Sequence, residues 1–162
     1  MALSALSDEL MRAEGMMMQD QNEEALELLL RLAEDAEEYV DCNCQTTDEV
    51  QYFAFPTLFD RLAYRRVEND PRKLEDVAEP FDRLYGDLAM AYMRTGDYEN
   101  AMTALKTAIR WNPMNCGFRL DLANLFKIAG DIREHMALTF GVFERASEAR
   151  HLTRAFLNFA AW

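Results

Sequence analysis

The chain has 162 residues, half of which are hydrophobic, and its formal net charge is −12 at pH 7. This hydrophobic content suffices for a buried core and excludes an intrinsically disordered chain. The negative charge argues against nucleic-acid binding, which requires clustered cations. The longest uncharged stretch, 50–59, has 10 residues, whereas a helix that crosses a bilayer needs roughly 18. We therefore expect neither a nucleic acid nor a membrane as partner. No basic leader followed by an apolar run is visible at the start, so the expected location is cytoplasmic.

Residues 1–40 have the pattern of an acidic pair of helices. From Asn22 onward, apolar residues recur every three or four positions, which is the period of a helix with one buried face. A shorter helix over 6–18 precedes it, and its methionine run 16–18 is interpreted as core packing with at least one side chain exposed. The Glu- and Asp-rich opposite face is interpreted as solvated surface. The predicted core positions of the longer helix are Ala25, Leu29, Leu32, Ala36 and Val40.

The cysteines and histidines form no recognisable site. Three cysteines are an odd number and do not suit a disulfide framework. Cys42 and Cys44 lack the second pair or the nearby histidines that a zinc site needs, and they are interpreted as thiols of an exposed loop. The six glycines are scattered, so no phosphate-binding loop is visible. We therefore expect no metal and no cofactor.

Residues 41–81 are predicted to be helical as well. Thr46 and Glu49 have the three-residue separation of a capping box, which predicts the start of a helix. An apolar stripe continues to Val67, and Pro56 is expected to kink this helix. A short helical segment, 70–78, follows, and Pro80 opens the next helix. No alternation typical of strands is present, so the predicted class is all-α.

Two later segments match each other at a spacing of 34 residues, which indicates an internal repeat. Tyr92 is replaced by Phe126, and Tyr98 by Ile132. The identical residues are Asp87, Leu88, Ala89, Gly96 and Asp97 in the first copy and Asp121, Leu122, Ala123, Gly130 and Asp131 in the second.

The first copy resembles a tetratricopeptide repeat along its full length, 82–115, and the resemblance is clearest over 82–132. Its first helix has the spacing W-x2-L-G-x2-Y, with Tyr for Trp and Ala for Gly. The residues that carry the pattern are Tyr85, Leu88, Ala89, Tyr92, Gly96, Tyr98, Ala101, Leu105, Ala108 and Pro113. The second copy departs from it in its second helix, where His135 and Thr139 replace a small and a bulky apolar residue.

The resemblance implies a right-handed α-α superhelix of antiparallel helix pairs, an α-solenoid, in a single domain over 1–162. Within it, 1–40 is a degenerate helix pair, 41–81 an insertion or divergent repeat, 82–115 the regular repeat, 116–149 a divergent one, and 150–162 the start of a further helix. Because residues 155–162 are almost all apolar, the chain is expected to be either a fragment of a longer protein or able to self-associate through this last helix. Alternatively, the last helix folds back over the second helix of 116–149 near Thr139 and Val142 and hides Phe156 and Trp162.

In this family the first helix of each repeat lines a concave groove, and the groove binds a peptide or a helix of a protein partner. The positions carried over to this chain are Arg83, Met90, Met93, Arg94, Leu120, Asn124, Lys127 and Ile128. A carboxylate clamp of the chaperone-binding kind is doubtful here, because Gly86 and Met90 stand where Lys and Asn would be needed. Alternatively, an aromatic helix around Phe53, Phe55 and Phe59 fills the groove.

The predicted function is therefore a non-enzymatic scaffold for protein–protein interaction, with an oligomerisation or regulatory segment of a larger multidomain protein as the alternative. An enzyme is the third hypothesis. His135 is interpreted as an interface side chain, because no nucleophile or second histidine lies at a usable spacing. No catalytic residue is predicted.

Overall fold

The computed structural model describes the backbone of residues 3–161 and the side chains of residues 5–161. The all-α prediction is confirmed, since 73% of the chain is helical and the helices pack in successive pairs. Over the described residues the elements are α1 (Leu3–Met18), α2 (Asn22–Asn43), β1 (Val50–Phe53), α3 (Leu58–Val67), β2 (Lys73–Asp76), α4 (Phe81–Thr95), α5 (Tyr98–Trp111), α6 (Cys116–Ile128), α7 (Ile132–Arg145) and α8 (Ala149–Ala160).

These elements divide into two compact units, where the sequence predicts one domain. The first unit comprises the described residues up to 56 together with 70–112, and the second comprises 57–69 together with the described residues from 113 onward. The segment that contains α3 therefore belongs to the second unit, although both strands that flank it in sequence belong to the first.

The first unit is built from two helix pairs, α1 with α2 and α4 with α5, and α4 also packs against α2. Ala101 and Ala108 are fully buried, because small side chains let the backbones of α4 and α5 approach closely. The Phe81 ring packs edge-on against Trp111, with 5.2 Å between ring centroids. On α2, all predicted core positions are buried except Val40, which is half-buried.

The turns of the two repeat copies have the same geometry. Gly96 and Gly130 each adopt a φ of 83°, in the left-handed region that favours glycine. The following residues, Asp97 and Asp131, cap α5 and α7 by accepting a hydrogen bond from the backbone N–H three residues ahead. The spacing of 34 residues in the sequence therefore corresponds to a repeated structure.

The prediction of helix over 46–56 is wrong, because β1 lies there and pairs in parallel with β2. Val, Tyr and Phe favour strands, and burial in β1 alternates with the period of a strand. Pro56 disfavours helical geometry at Phe55, so α3 begins only after it. The N-cap of α3 is Thr57, whose Oγ1 accepts a hydrogen bond from the Asp60 N–H at 3.2 Å.

The prediction of a short helix over 70–78 is also wrong, because β2 lies in this segment. Asp70 Oδ1 accepts a hydrogen bond from the Arg72 N–H at 3.0 Å, which forms a turn and not a helix cap. β2 follows directly, and Val77 N–H continues the pairing by donating to Phe53 O at 2.9 Å. Thr46 does not cap a helix, since the neighbouring Thr47 hydroxyl accepts from the N–H groups of Glu49 and Val50 in a turn before β1.

In the second unit, α6 packs against α7, and α8 packs against both. The buried core contains Cys116, Leu120, Val142 and Ala155. α8 therefore covers part of α7 through Ala155, and its Asn158 donates a hydrogen bond to Thr139 Oγ1 at 3.3 Å. Trp162, part of the apolar end noted in the sequence, lies outside the described residues.

Candidate protein-binding surface

The predicted contact residues of α4 lie in the first unit, where α1 engages both of the cations among them. Arg83 Nε donates to Glu14 Oε1 at 2.8 Å, and its Nη2 lies 2.7 Å from the same oxygen. Arg94 Nη1 donates to Met17 O at 3.0 Å and lies 3.7 Å from Asp20 Oδ1. The two guanidinium groups therefore connect α4 to α1, and their charge is partly compensated within the unit.

Methionine side chains provide the apolar part of this surface. Met90 is 42% exposed and Met93 is half-buried. Met90 lies on the same face of α4 as Arg83 and Arg94, because these positions are separated by seven and four residues. An unbranched, polarizable side chain adapts to different partners, so an exposed methionine is suited to protein recognition.

α1 contributes two further exposed methionines that the predicted site omits. Met18 is 86% exposed and Met11 is 54% exposed, whereas Met17 is buried. Met11, Glu14 and Met18 share one face of α1 by their three- and four-residue spacing, and Glu14 is the residue that binds Arg83. The run Met16–Met18 was a signal for this surface, and the expectation that at least one of its members is exposed is confirmed.

The predicted contact residues of α6 lie in the second unit and differ in accessibility. Leu120 is fully buried in the core of that unit, so including it among the contact residues was wrong: its side chain packs with Val142 and Ala155. Asn124, Lys127 and Ile128 are exposed, with Ile128 at 69%. Lys127 joins none of the ion pairs formed by the described residues. The surface of α6 therefore offers one cation beside one large apolar side chain.

At the contact between α1 and α4, burial raises the pKa of one carboxyl group, that of Asp87. Asp87 lies one turn beyond Arg83, with its Oδ2 4.0 Å from Arg83 Nε. Removal from water is the main cause that raises the pKa of Asp87 to about 7; the nearby negative charge of Glu14 contributes to this rise, and Arg83 opposes it. The carboxyl group of Asp87 at this contact therefore changes its protonation state near neutral pH.

His135 has a structural role. It is fully buried, and its Nδ1 lies 2.8 Å from Ala123 O of α6, so this ring nitrogen carries the hydrogen and donates it. Thr139 Oγ1 donates to His135 O at 2.7 Å. The two polar residues that make the second copy irregular therefore have different roles: His135 holds α7 against α6, and Thr139 makes a hydrogen bond within α7.

Neither the cysteines nor the aromatic residues of 50–59 lie as expected. Cys42 is exposed in the last turn of α2, whereas Cys44 is buried, and burial raises the pKa of its thiol. Phe53 and Phe55 are buried in the first unit with their rings stacked at 4.8 Å, while Phe59 is exposed on α3 of the second unit. An aromatic helix that includes all three, the alternative groove filler, therefore does not exist.

Among the described residues, no group of three or more His, Cys, Asp or Glu side chains is arranged to hold a metal ion. No helix in this part of the chain is both long and apolar enough to cross a membrane.

The geometry of α4 and α5 defines a two-helix repeat unit, with a glycine turn, a capping aspartate and small residues where the helices meet. Residues 82–115 match the tetratricopeptide repeat family, and this segment of the chain is a tetratricopeptide repeat. Repeats of this family generally mediate protein–protein interaction and are not enzymatic. No curated protein matches the chain in sequence.

Proposed function

We propose that the protein is a non-enzymatic scaffold that binds a peptide or helix of a protein partner through the first helices of its helix pairs. The observation that carries the proposal is the exposure of large apolar side chains on α1, α4 and α6, with cations beside them on α4 and α6, within a chain that contains a tetratricopeptide repeat. Such residues bury apolar area on binding, while the flanking charges select the partner.

The partner that fits the surface of each unit is an amphipathic segment with acidic residues beside its apolar face. In the first unit, Met18 and Met90 would bury the apolar side chains of this segment, since both methionines are exposed. In the second unit, Ile128 supplies apolar area and Lys127 supplies a positive charge to pair with a carboxylate. Arg94 is 40% exposed and retains donors for a partner in addition to its bond to Met17 O.

Binding experiments with matched charge variants test this proposal. Cross-linking mass spectrometry first identifies a recurrent partner, and calorimetry with the purified partner then measures its affinity. Met90→Glu with Arg94→Glu alters the first-unit surface, and Lys127→Glu with Ile128→Glu alters the second. We expect each pair to weaken binding by at least tenfold, because it adds a charge at an apolar contact and reverses a cation.

The control pair, Thr103→Glu with Lys106→Glu, makes the same charge change on exposed positions of α5. We expect it to bind the partner normally. Far-ultraviolet circular dichroism should be the same for all variants. Unchanged affinity of both surface pairs, with the fold intact, would contradict the proposal.

A specific observation favours self-association as a second function. Phe156 and Leu157 of α8 are exposed by 62% and 63%, and Phe140 of α7 by 62%. The Phe143 ring packs against Phe156 and Phe159, with centroids 4.9 Å and 5.7 Å apart. An exposed aromatic cluster of this kind is typical of an interface, and we propose that a second copy of the chain covers it.

A further inference from the structure

An open groove runs along the first unit between α2 and α5, and α4, which packs against both helices, forms its floor. The groove consists of two hollows with volumes of about 300 Å³ and 340 Å³. Both hollows are lined by Glu37, Tyr85 and Thr107, so they are continuous. A groove between two helices has the shape that accepts a third helix along its length.

The floor and the two walls of this groove differ in chemistry. The floor is apolar and aromatic, with Leu88 between the rings of Tyr85 and Tyr92. The α5 wall of the first hollow has amide, hydroxyl and methyl groups and no charge. The α2 wall is acidic, and its carboxylates belong to Glu34, Glu37 and Asp41.

The carboxylates of the α2 wall have no cationic partner among the described residues. Glu34, Glu37 and Asp41 are exposed, and none of them joins an ion pair in this part of the chain. α2 contains eight acidic residues and one basic residue, Arg31, which does not line the groove. Separations of three and four positions place the three carboxylates in one stripe about 10 Å long.

The hydroxyl group of Tyr85 is a second, independent feature of the groove. The residue is only 8% exposed and lines both hollows. Its hydroxyl makes no hydrogen bond to a described residue, and it is not among the atoms that are shielded from solvent, so it opens onto the groove. Burial, with a smaller contribution from Glu37, raises the pKa of Tyr85 to about 12, so the hydroxyl keeps its proton at neutral pH. An unused polar group on a buried side chain indicates a ligand that completes its hydrogen bonds.

One cation borders the groove, at the end nearest Asp41. Arg110 donates from Nη1 to Tyr52 O and from Nη2 to Thr46 Oγ1, both at 3.4 Å. Its guanidinium group also lies 4.1 Å from the centre of the Trp111 ring. Because Arg110 is held there by its own unit, it repels a second cation at this end and leaves the other carboxylates of the stripe for a ligand.

We propose that this groove binds a basic amphipathic helix of a protein partner, whose lysines or arginines pair with Glu34 and Glu37. Its apolar side chains would pack on Leu88 and Tyr92, and its polar groups would reach the Tyr85 hydroxyl. A helix that carries cations three or four positions apart presents them at the spacing of the α2 carboxylates. The charge of the α2 wall disfavours an acidic segment.

This groove is distinct from the surface of α4 proposed above to bind an acidic segment. Leu88 of the floor and Met90 of that surface are two positions apart, which corresponds to about 200° around a helix. The two surfaces therefore lie on opposite sides of α4 and select partners of opposite charge, so the groove does not depend on the scaffold function proposed above.

Calorimetric titration of the full chain with designed peptides tests the proposal. The probe is a blocked helical peptide of about 14 residues, or four turns, with a leucine stripe flanked by lysines. One control peptide has glutamate in place of every lysine. A second has the same composition in an order that mixes leucine and lysine on all faces of the helix. We expect the probe to bind at least tenfold more tightly than either control peptide.

Two matched pairs of substitutions separate the groove from general attraction to an acidic helix. Glu34→Gln with Glu37→Gln removes two carboxylates from the groove, whereas Glu24→Gln with Asp35→Asn removes two from exposed positions of α2 that do not line it. We expect at least tenfold weaker binding of the probe for the first pair and unchanged binding for the second. Tyr85→Phe, which removes only the hydroxyl, should weaken binding by about threefold. Far-ultraviolet circular dichroism should be the same for all of them.

Three results would overturn the proposal. The first is that the probe does not bind, and the second is that the reordered peptide binds equally well. The third is that the two pairs of substitutions have the same effect on binding. If a second copy of the chain occupies the groove instead, Glu34→Gln with Glu37→Gln would lower the mass measured by light scattering, which would also contradict the assignment to a partner helix.

Discussion

Asp20 and Gly96 adopt the same left-handed backbone conformation at equivalent positions of two helix-to-helix turns, with φ of 60° and 83°. In both turns the residue's own N–H donates to the carbonyl three residues earlier, at 3.2 Å. The next N–H reaches back five residues, from Gln21 to Met16 O at 3.0 Å and from Asp97 to Tyr92 O at 2.8 Å. The α1–α2 turn is therefore built like the turn of the tetratricopeptide repeat, although it lacks the glycine.

Replacing Gly96 with alanine should destabilise the protein, because a Cβ is strained at a φ of 83° even where space is open. We expect a loss of about 1 kcal/mol in the free energy of unfolding. Gly15→Ala is the matched control: its Cβ also meets no atom within 4 Å, but Gly15 lies inside α1 without a positive φ. That variant should gain about 0.5–1 kcal/mol. Chemical denaturation measures both, and equal effects of the two variants would rule out strain at Gly96.

Asp20→Gly should have the opposite effect to Gly96→Ala, since it relieves the strain of a side chain at a φ of 60°. The contact with Arg94 that it removes is 3.7 Å long and its Asp20 side chain is 90% exposed, so that loss is small. We expect a net gain of up to about 1 kcal/mol. Asp20→Ala, which removes the same carboxylate but keeps the Cβ, is the control and should give no such gain.

The packing of α4 against α5 predicts that Ala101→Arg strongly destabilises the first unit. Ala101 is fully buried, so an arginine there both overfills the contact and places a charge without a partner in the core. We expect a loss of more than about 3 kcal/mol. Thermal denaturation followed by circular dichroism measures it, with the exposed Glu99→Gln as a nearly silent control. An unchanged melting temperature would contradict the assignment of this helix face.

Titration of Asp87 predicts a specific pH dependence of stability. An aspartate titrates near pH 4 in an unfolded chain, whereas burial raises the pKa of Asp87 to about 7 in the folded protein. Between these values the folded state binds more protons, so this group makes the protein less stable as the pH rises from about 4 to about 7. Asp87→Asn should therefore stabilise the protein increasingly over that interval and by a constant amount above it.

The groups that face Asp87, namely Glu14, Arg83 and Asp82, remain in this variant and set the background. Denaturant melts at several pH values give the difference between wild type and Asp87→Asn. The exposed Asp35→Asn, measured at the same pH values, is the control for the loss of one carboxylate from the first unit. A difference for Asp87→Asn that is flat over the same interval would show that Asp87 titrates normally.

How much of this structure was predictable depended on the range of the interactions that determine it. The turns at Gly96 and Gly130 and the caps at Asp97 and Asp131 are local, so the repeat could be predicted from residue types at fixed spacing. The pairing of β1 with β2 joins residues more than twenty positions apart, and no local pattern shows that a partner strand follows.

The same distinction applies to the binding surface. That Met90 and Lys127 are exposed follows from helix periodicity. That Glu14 engages Arg83 requires knowing how α1 packs against α4, because 69 residues separate them. Leu120 was misassigned because the equivalence between repeats gives the position on a helix but not what α7 and α8 bury of it.

The aromatic cluster on α7 and α8 predicts that the protein self-associates in a concentration-dependent way. Phe156→Lys should disperse the oligomer, because a lysine at a position that is 62% exposed is tolerated in the monomer but not within an apolar interface. Size exclusion with light scattering, from micromolar to high micromolar protein, measures the mass. Tyr98→Lys, at an exposed aromatic residue of the first unit, is the control and should leave the mass unchanged. A wild-type chain that stays monomeric over the whole range would show that no second copy covers this face.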